Sequence, residues 1–198
     1  MEEHPSSIAS LVLIQDYLLR NNNPGTIGNY LNLIESPAKE DKLFHRLHSA
    51  YQRALLTSVG SKAPDFAVNA INGDSLTLDS FHGRHLILAF EKPGSEACNE
   101  DHPVLDDLYK KYDRKKVEIL SLVFDENPDD REKIAEEHKI NWLQAIDTLG
   151  LASSSIFAYN ISILPDYFLI DEEGVIRASH IPVKEIQILL EEKIESGK

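Results

Sequence analysis

Over residues 1–58 the apolar positions recur every three to four residues and no stretch alternates, which is the period of short helices with one buried face. Ser6 or Ser7 is placed to cap a first helix that carries Ile8, Leu11, Val12, Leu18 and Leu19 on one face and ends at Arg20, before the turn signal Asn21-Asn22-Asn23-Pro24-Gly25. Thr26 is placed to cap a second, with Ile27, Tyr30, Leu31 and Ile34 at i, i+3, i+4 and i+7, stopped by Ser36-Pro37. A third presents Leu43, Leu47, Tyr51 and Leu55 at every fourth position. Such stripes need a partner surface, and the following domain is the nearest one.

The period changes after Val59-Gly60. Phe66 to Ala70 reads as a short strand and Asn72-Gly73-Asp74 as a turn. Leu86-Ile87-Leu88-Ala89-Phe90 is a continuous apolar run, expected of a strand covered on both faces. A loop over Glu91 to Glu96 leads to a helix with Val104, Leu105, Leu108 and Tyr112, then to a second buried strand, Val117 to Phe124. Asn127 with Pro128 opens another helix, whose Glu132, Lys133, Glu136 and Glu137 form a solvated face. Trp142 to Ile146 reads as a short strand and Ser155 to Tyr159 as a helical turn. Tyr167 to Ile170 and Val175 to Ser179 make a hairpin around Asp171-Glu172-Glu173-Gly174, and Ile186, Leu189, Leu190 and Ile194 mark a last helix. This alternation predicts an α/β fold with a mixed central sheet flanked by helices over residues 59–198, behind a small all-helical segment over residues 1–58.

Charge narrows the partners. A net charge of -13 repels a phosphate backbone, so nucleic acid is not an expected partner. No run of apolar residues is long enough to span a bilayer, and no insertion into a membrane is expected. Met1-Glu2-Glu3-His4-Pro5 lacks the basic start of a signal peptide, which implies either a cytoplasmic protein or a chain that has lost its original amino terminus. One cysteine, Cys98, excludes an internal disulfide without fixing the compartment. His45 and His48 lie at i, i+3 on the third helix, but no acid or cysteine ligand stands beside them, so a solvated face is expected there and neither a metal nor another cofactor is implied. His102 and Asp101 read as an exposed helical turn, and Trp142 as core or pocket wall. No phosphate loop, dinucleotide fingerprint or serine nucleophile elbow occurs.

A family frame runs through the second part. Ser61-Lys62-Ala63-Pro64-Asp65-Phe66, then Asn72-Gly73-Asp74, Leu76-Thr77-Leu78 and Phe81-His82-Gly83-Arg84, then Phe90 through Pro103, and finally Trp142, Ser153-Ser154-Ser155 with Tyr159, and Ile163-Leu164-Pro165-Asp166-Tyr167-Phe168-Leu169-Ile170-Asp171 with Gly174 follow one another in order. On these motifs residues 61–180 resemble the thioredoxin-like thiol-disulfide oxidoreductases of the TlpA/ResA branch, which is related to the peroxiredoxins of the AhpC/TSA group. The resemblance implies a thioredoxin-like fold, a cis bond before Pro165, and a substrate that is a thiol- or disulfide-containing protein or peptide. It also places Ser95 on the family's first active-site cysteine, Cys98 on the second, Asp101 on a glutamate position and Pro103 on a proline position. The helical prefix, beginning His4-Pro5-Ser6-Ser7-Ile8-Ala9, resembles that of many members exported to the bacterial cell envelope, so an envelope or periplasmic location is implied.

The chemistry of that site needs a thiolate to attack sulfur and a second thiol to resolve the mixed disulfide. In this frame the motif reads Ser95-Glu96-Ala97-Cys98, and the attacking position holds a hydroxyl that can cap the helix instead. The candidate catalytic residues are therefore Cys98, Ser95 and Pro165, with Glu96, Ala97 and Leu164 as substrate-binding neighbours. Burial is expected to raise the Cys98 pKa, and Glu96 to raise it further if close. Three readings stand. The first is loss of dithiol activity, with at most single-cysteine chemistry. The second is a one-cysteine peroxidase. Ser95 and Cys98 have the hydroxyl-to-cysteine spacing of peroxiredoxins, but Glu91 falls where their proline sits, and no arginine occurs between Arg131 and Arg177. The third is a non-catalytic module that binds an extended peptide along the Pro165 loop. Oligomeric state is not legible.

Overall fold

The computed structural model describes residues 4–20, 24–125 and 140–195. Its contacts fall into two compact units that divide after Ser58.

The first unit contains α1 (Ile8–Arg20), α2 (Pro24–Asn32), a 3-10 turn (Ala38–Glu40) and α3 (Lys42–Leu56). Ser7 accepts from the Ala9 amide, which supports the serine start of α1. The buried stripe differs from the expected one. Leu11 and Ile14 are fully buried, whereas Ile8 and Val12 are more than half exposed. The side chains of Leu18 and Leu19 lie outside the described residues. Thr26 lies inside α2 rather than at its cap, because Pro24 already takes the first helical position, where a missing N–H costs nothing. Asp41 caps α3 by accepting from the Leu43 amide at 2.7 Å. Leu11, Ile14, Ile27, Leu31, Ile34 and Leu47 meet in a core internal to this unit, so the three helices serve as one another's partner surface. His45 and His48 are exposed, and His48 stacks on Phe44.

The second unit is a mixed α/β layer structure. Its strands are β1 (Ala67–Asn69), β2 (Ser75–Thr77), β3 (His85–Glu91), β4 (Val117–Phe124), β5 (Leu143–Asp147), β6 (Asp166–Ile170) and β7 (Ile176–Ser179). Its helices are α4 (Glu96–Lys111), α5 (Ser154–Ala158) and α6 (Val183–Glu195). Five strands form one sheet in the order β5-β4-β3-β6-β7. β3, β4 and β5 run parallel, and β6 and β7 run antiparallel to their neighbours. β1 and β2 form a separate hairpin. β2 was not expected as a strand; alternation over three residues is too short a signal to read. The expected helix at Asn127-Pro128, with its acidic face, lies outside the described residues.

Period-two alternation sorts the sheet residues onto two cores. Leu86, Leu88 and Phe90 of β3 point to one face, where Phe90 stacks on Phe124 at 5.9 Å and meets Tyr159 at 5.2 Å and Phe168 at 5.7 Å. Tyr159 fixes the covering segment by donating its hydroxyl to the Pro64 carbonyl at 2.7 Å. Ile87 and Ala89 point to the other face, under Leu105 and Leu108 of α4 and Val183, Ile186 and Leu190 of α6. Both faces are covered, which is why β3 and β4 read as unbroken apolar runs. The parallel strands β3 and β4 end at the same edge of the sheet, the edge at which α4 begins.

Candidate functional site around Cys98

Strand β3 ends at Glu91. The chain turns through Lys92-Pro93-Gly94, with Gly94 at φ +68, and enters α4 at Ser95. The positive φ is the conformation that glycine adopts without a Cβ clash. Ser95 stands at the N-cap position with extended backbone, but its side chain makes no capping bond. Its hydroxyl lies close enough to the Cys98 thiol one turn on to lower the thiol's pKa. The expected capping bond from Ser95 is therefore absent. Glu96 and Ala97 are exposed in the first turn, where Glu96 complements the helix dipole.

Cys98 is 2% exposed. Burial pushes its thiol up, and the charges of Glu91 and Asp101 push the same way; the Lys92 main-chain amide and the Ser95 hydroxyl pull down without overcoming them. The acids that matter are Glu91 and Asp101; Glu96, the expected one, is not among the causes. The balance favours the thiol over the thiolate.

The bond from Leu164 to Pro165 is cis, and both residues are half-buried. Asp166, the next residue, pairs with Phe90 across the β3–β6 ladder. Pro165 is thus set at the end of β3 from which the loop to Cys98 departs. Tyr167 pairs with Ala89 and donates its hydroxyl to Asp101 Oδ2 on α4 at 2.9 Å. The structure therefore brings Ser95, Cys98 and the Pro165 turn to one edge of the sheet, with Glu96 and Ala97 on the exposed rim.

Asp101 and His102 are not the exposed turn expected of them. Asp101 is held by Tyr167, and His102 Nε2 lies 3.4 Å from Glu91 Oε1 while its ring meets Trp142 edge-on at 5.8 Å. α4 rests on the sheet along this face, so its first polar residues are drawn inward. Trp142 is core, with its indole N–H donated to Ser121 Oγ at 2.8 Å. Two residues at this site had no sequence signal. Glu91, assigned to the loop, is the last residue of β3 and only 3% exposed, and Gln144 of β5 is 6% exposed with neither side-chain polar atom hydrogen-bonded. Among the described residues no cluster of three metal-binding side chains occurs.

This chain belongs to the AhpC/TSA family, whose model matches residues 59–179. The thiol-disulfide oxidoreductase ResA of Bacillus thuringiensis subsp. konkukian is 32% identical over 116 residues, which are 59% of this chain and 65% of that protein. ResA of Geobacillus kaustophilus is 32% identical over 120 residues, 61% of this chain and 67% of that protein. The chain thus spans about two thirds of the length of these relatives. The solution structure of a thiol:disulfide interchange protein from Bacteroides sp. superposes with a TM-score of 0.62 at 25% identity, over 70% of this chain and 91% of that one. The fold is thioredoxin-like, as the mixed sheet with flanking helices implies.

Proposed function

We propose that this protein acts on thiol- or disulfide-containing proteins through Cys98 alone, by forming a mixed disulfide that it cannot resolve from within. The single observation that carries the reading is the placement of the only cysteine one turn inside α4, behind Ser95, at the sheet edge that also holds the cis Pro165 turn. Attack of the Cys98 sulfur on a partner disulfide forms one S–S bond, breaks another and releases the partner's second sulfur as a thiol. With no second cysteine in the chain, return to the free thiol needs an external thiol. The residues proposed to take part are Cys98, Ser95 and Pro165, with Glu96, Ala97 and Leu164 on the rim that a partner would meet. The reading includes an envelope location, supported by the resemblance to exported relatives; among the described residues no helix is long and apolar enough to cross a membrane.

The test is insulin reduction by the wild type and by Ser95→Cys. Activity gained only in the variant supports a working scaffold whose lone sulfur cannot complete the cycle without a second one. Wild-type turnover equal to the variant's overturns the proposal. One observation favours a second reading, a peptide-binding module without catalysis: Ile163, two residues before Pro165, is 78% exposed, and Phe157 is 60% exposed. Silence of both proteins in the assay, with retained binding of an extended peptide, would select it. The peroxidase reading is disfavoured by the frame, in which Glu91 stands where the peroxiredoxin proline sits and no arginine occurs between Arg131 and Arg177.

A further inference from the structure

The β1–β2 hairpin and α5 leave a pocket of about 530 Å³ between them, and none of its walls belongs to the Cys98 site. The volume falls within the roughly 300–1,000 Å³ of pockets that take small organic molecules. Two carboxylates stand on it, Asp65 from the segment before β1 and Asp79 from the 3-10 turn Leu78–Phe81 that follows β2. Among the described residues neither carboxylate has an ion-pair or hydrogen-bond partner, and no lysine, arginine or histidine lines the pocket. Phe66, itself buried, and Ala158 supply apolar wall. Ser155 points to an occupant independently of the acids. It is on the wall and only 7% exposed. Its amide donates to Ser153 Oγ at 3.0 Å and its carbonyl accepts from the Tyr159 amide at 3.0 Å, but its hydroxyl has no hydrogen-bond partner among the described residues. A polar group buried this deeply calls for a partner, and its open side is the pocket.

We propose that this pocket binds an alkylammonium ligand, and a diamine best of all. An ammonium group carries three donors and no acceptor. The walls offer it the complement, two carboxylates and the Ser155 hydroxyl, with no cation to repel it. Two carboxylates on one pocket suit a ligand with an ammonium at each end, and the methylene stem between them packs on Phe66 and Ala158. Other ligand classes fit less well. An anion would meet two carboxylates and no positive partner. A bare metal ion would leave most of the volume empty, and among the described residues no group of three metal-binding side chains occurs. The site is separate from the thiol chemistry and does not depend on the reading of Cys98.

The experiment is calorimetric titration of the full chain with cadaverine, in about 0.15 M salt so that attraction to distant surface charge is screened. Saturable binding at one site is expected. In the double variant Asp65→Asn/Asp79→Asn the affinity should fall about tenfold or more, the scale of a lost charge-assisted hydrogen bond. The charge-matched control is Glu100→Gln/Asp107→Asn, two exposed acids on α4 outside the pocket, which should bind as the wild type does. Equal weakening in both double variants would mean that the ligand follows the net charge of -13 and overturns the proposal, as does the absence of saturable binding. A capped lysine peptide, titrated in the same way, separates the two sources of an alkylammonium group. Tighter binding of cadaverine supports a free diamine as the ligand, and tighter binding of the peptide overturns the diamine in favour of a protein partner's lysine. Should the pocket variant fail to fold, the wild type still decides: amide chemical shifts on adding cadaverine should move at residues 65–67, 77–79 and 154–158, and shifts confined to other residues overturn the proposal.

Discussion

The Tyr167 hydroxyl donates to Asp101 Oδ2 at 2.9 Å, tying β6 to the second turn of α4. The bond fastens the strand that follows the Pro165 turn to the helix that carries Cys98. Tyr167 is 1% exposed, so no water replaces the lost partner when the hydroxyl is removed. Tyr167→Phe is expected to destabilise the protein by about 1.5–3 kcal/mol, the range for a hydrogen bond to a charged group. Urea denaturation of the two proteins measures it, and a loss under about 0.5 kcal/mol refutes it.

Stability should fall on the alkaline side. Burial holds the Cys98 thiol and the Tyr159 and Tyr167 hydroxyls protonated beyond their ordinary values. A raised folded pKa gives stability that is full below the unfolded value and is lost as pH rises towards the folded one. The loss therefore begins above about pH 8.5, where an unfolded cysteine ionises, and steepens above about pH 10 with the tyrosines, at about 1.4 kcal/mol per group per pH unit. Urea midpoints between these values and pH 11 should decline, and Tyr159→Phe should flatten the upper part of the curve.

Ser95→Ala separates two roles for one hydroxyl. With no capping bond to lose, helix stability should change by less than about 0.5 kcal/mol. The hydroxyl that lowers the Cys98 pKa is lost, so iodoacetamide modification at pH 8 should be slower than in the wild type. A drop of about 1 kcal/mol in stability with an unchanged rate would show that the serine caps the helix after all.

Phe90 touches Phe124, Tyr159 and Phe168 and is fully buried. Phe90→Ala should cost about 3–5 kcal/mol, the range for emptying a large aromatic site in a core. Differential scanning calorimetry checks it; an unchanged transition would mean that the cluster refills the space.

The fold was legible where runs were long and continuous. The apolar stretches 86–90 and 117–124 and the helix between them read directly, because strands covered on both faces leave no other pattern. The cis bond before Pro165 and the burial of Cys98 followed from the family frame rather than from residue periodicity. What failed was local. In α1 apolar residues occupy several faces, so the choice of Leu11 and Ile14 over Ile8 and Val12 depends on where α2 and α3 lie. Glu91 and His102 looked like loop and surface because a charged residue at the end of a strand is read as the end of burial. They meet only when α4 folds back over β3, a contact that no spacing along the chain encodes.

The strand order has a consequence for synthesis of the chain. β3 lies between β4 and β6, and β6 begins at Asp166, far downstream of α4, which ends at Lys111. A growing polypeptide can pair β3 with β4 early, but the flank of β3 that receives β6 stays open until residues 166–170 leave the ribosome. Until then Tyr167 cannot anchor Asp101 and the Pro165 turn does not exist. Until then Cys98 also lacks the full cover that leaves it 2% exposed in the finished fold.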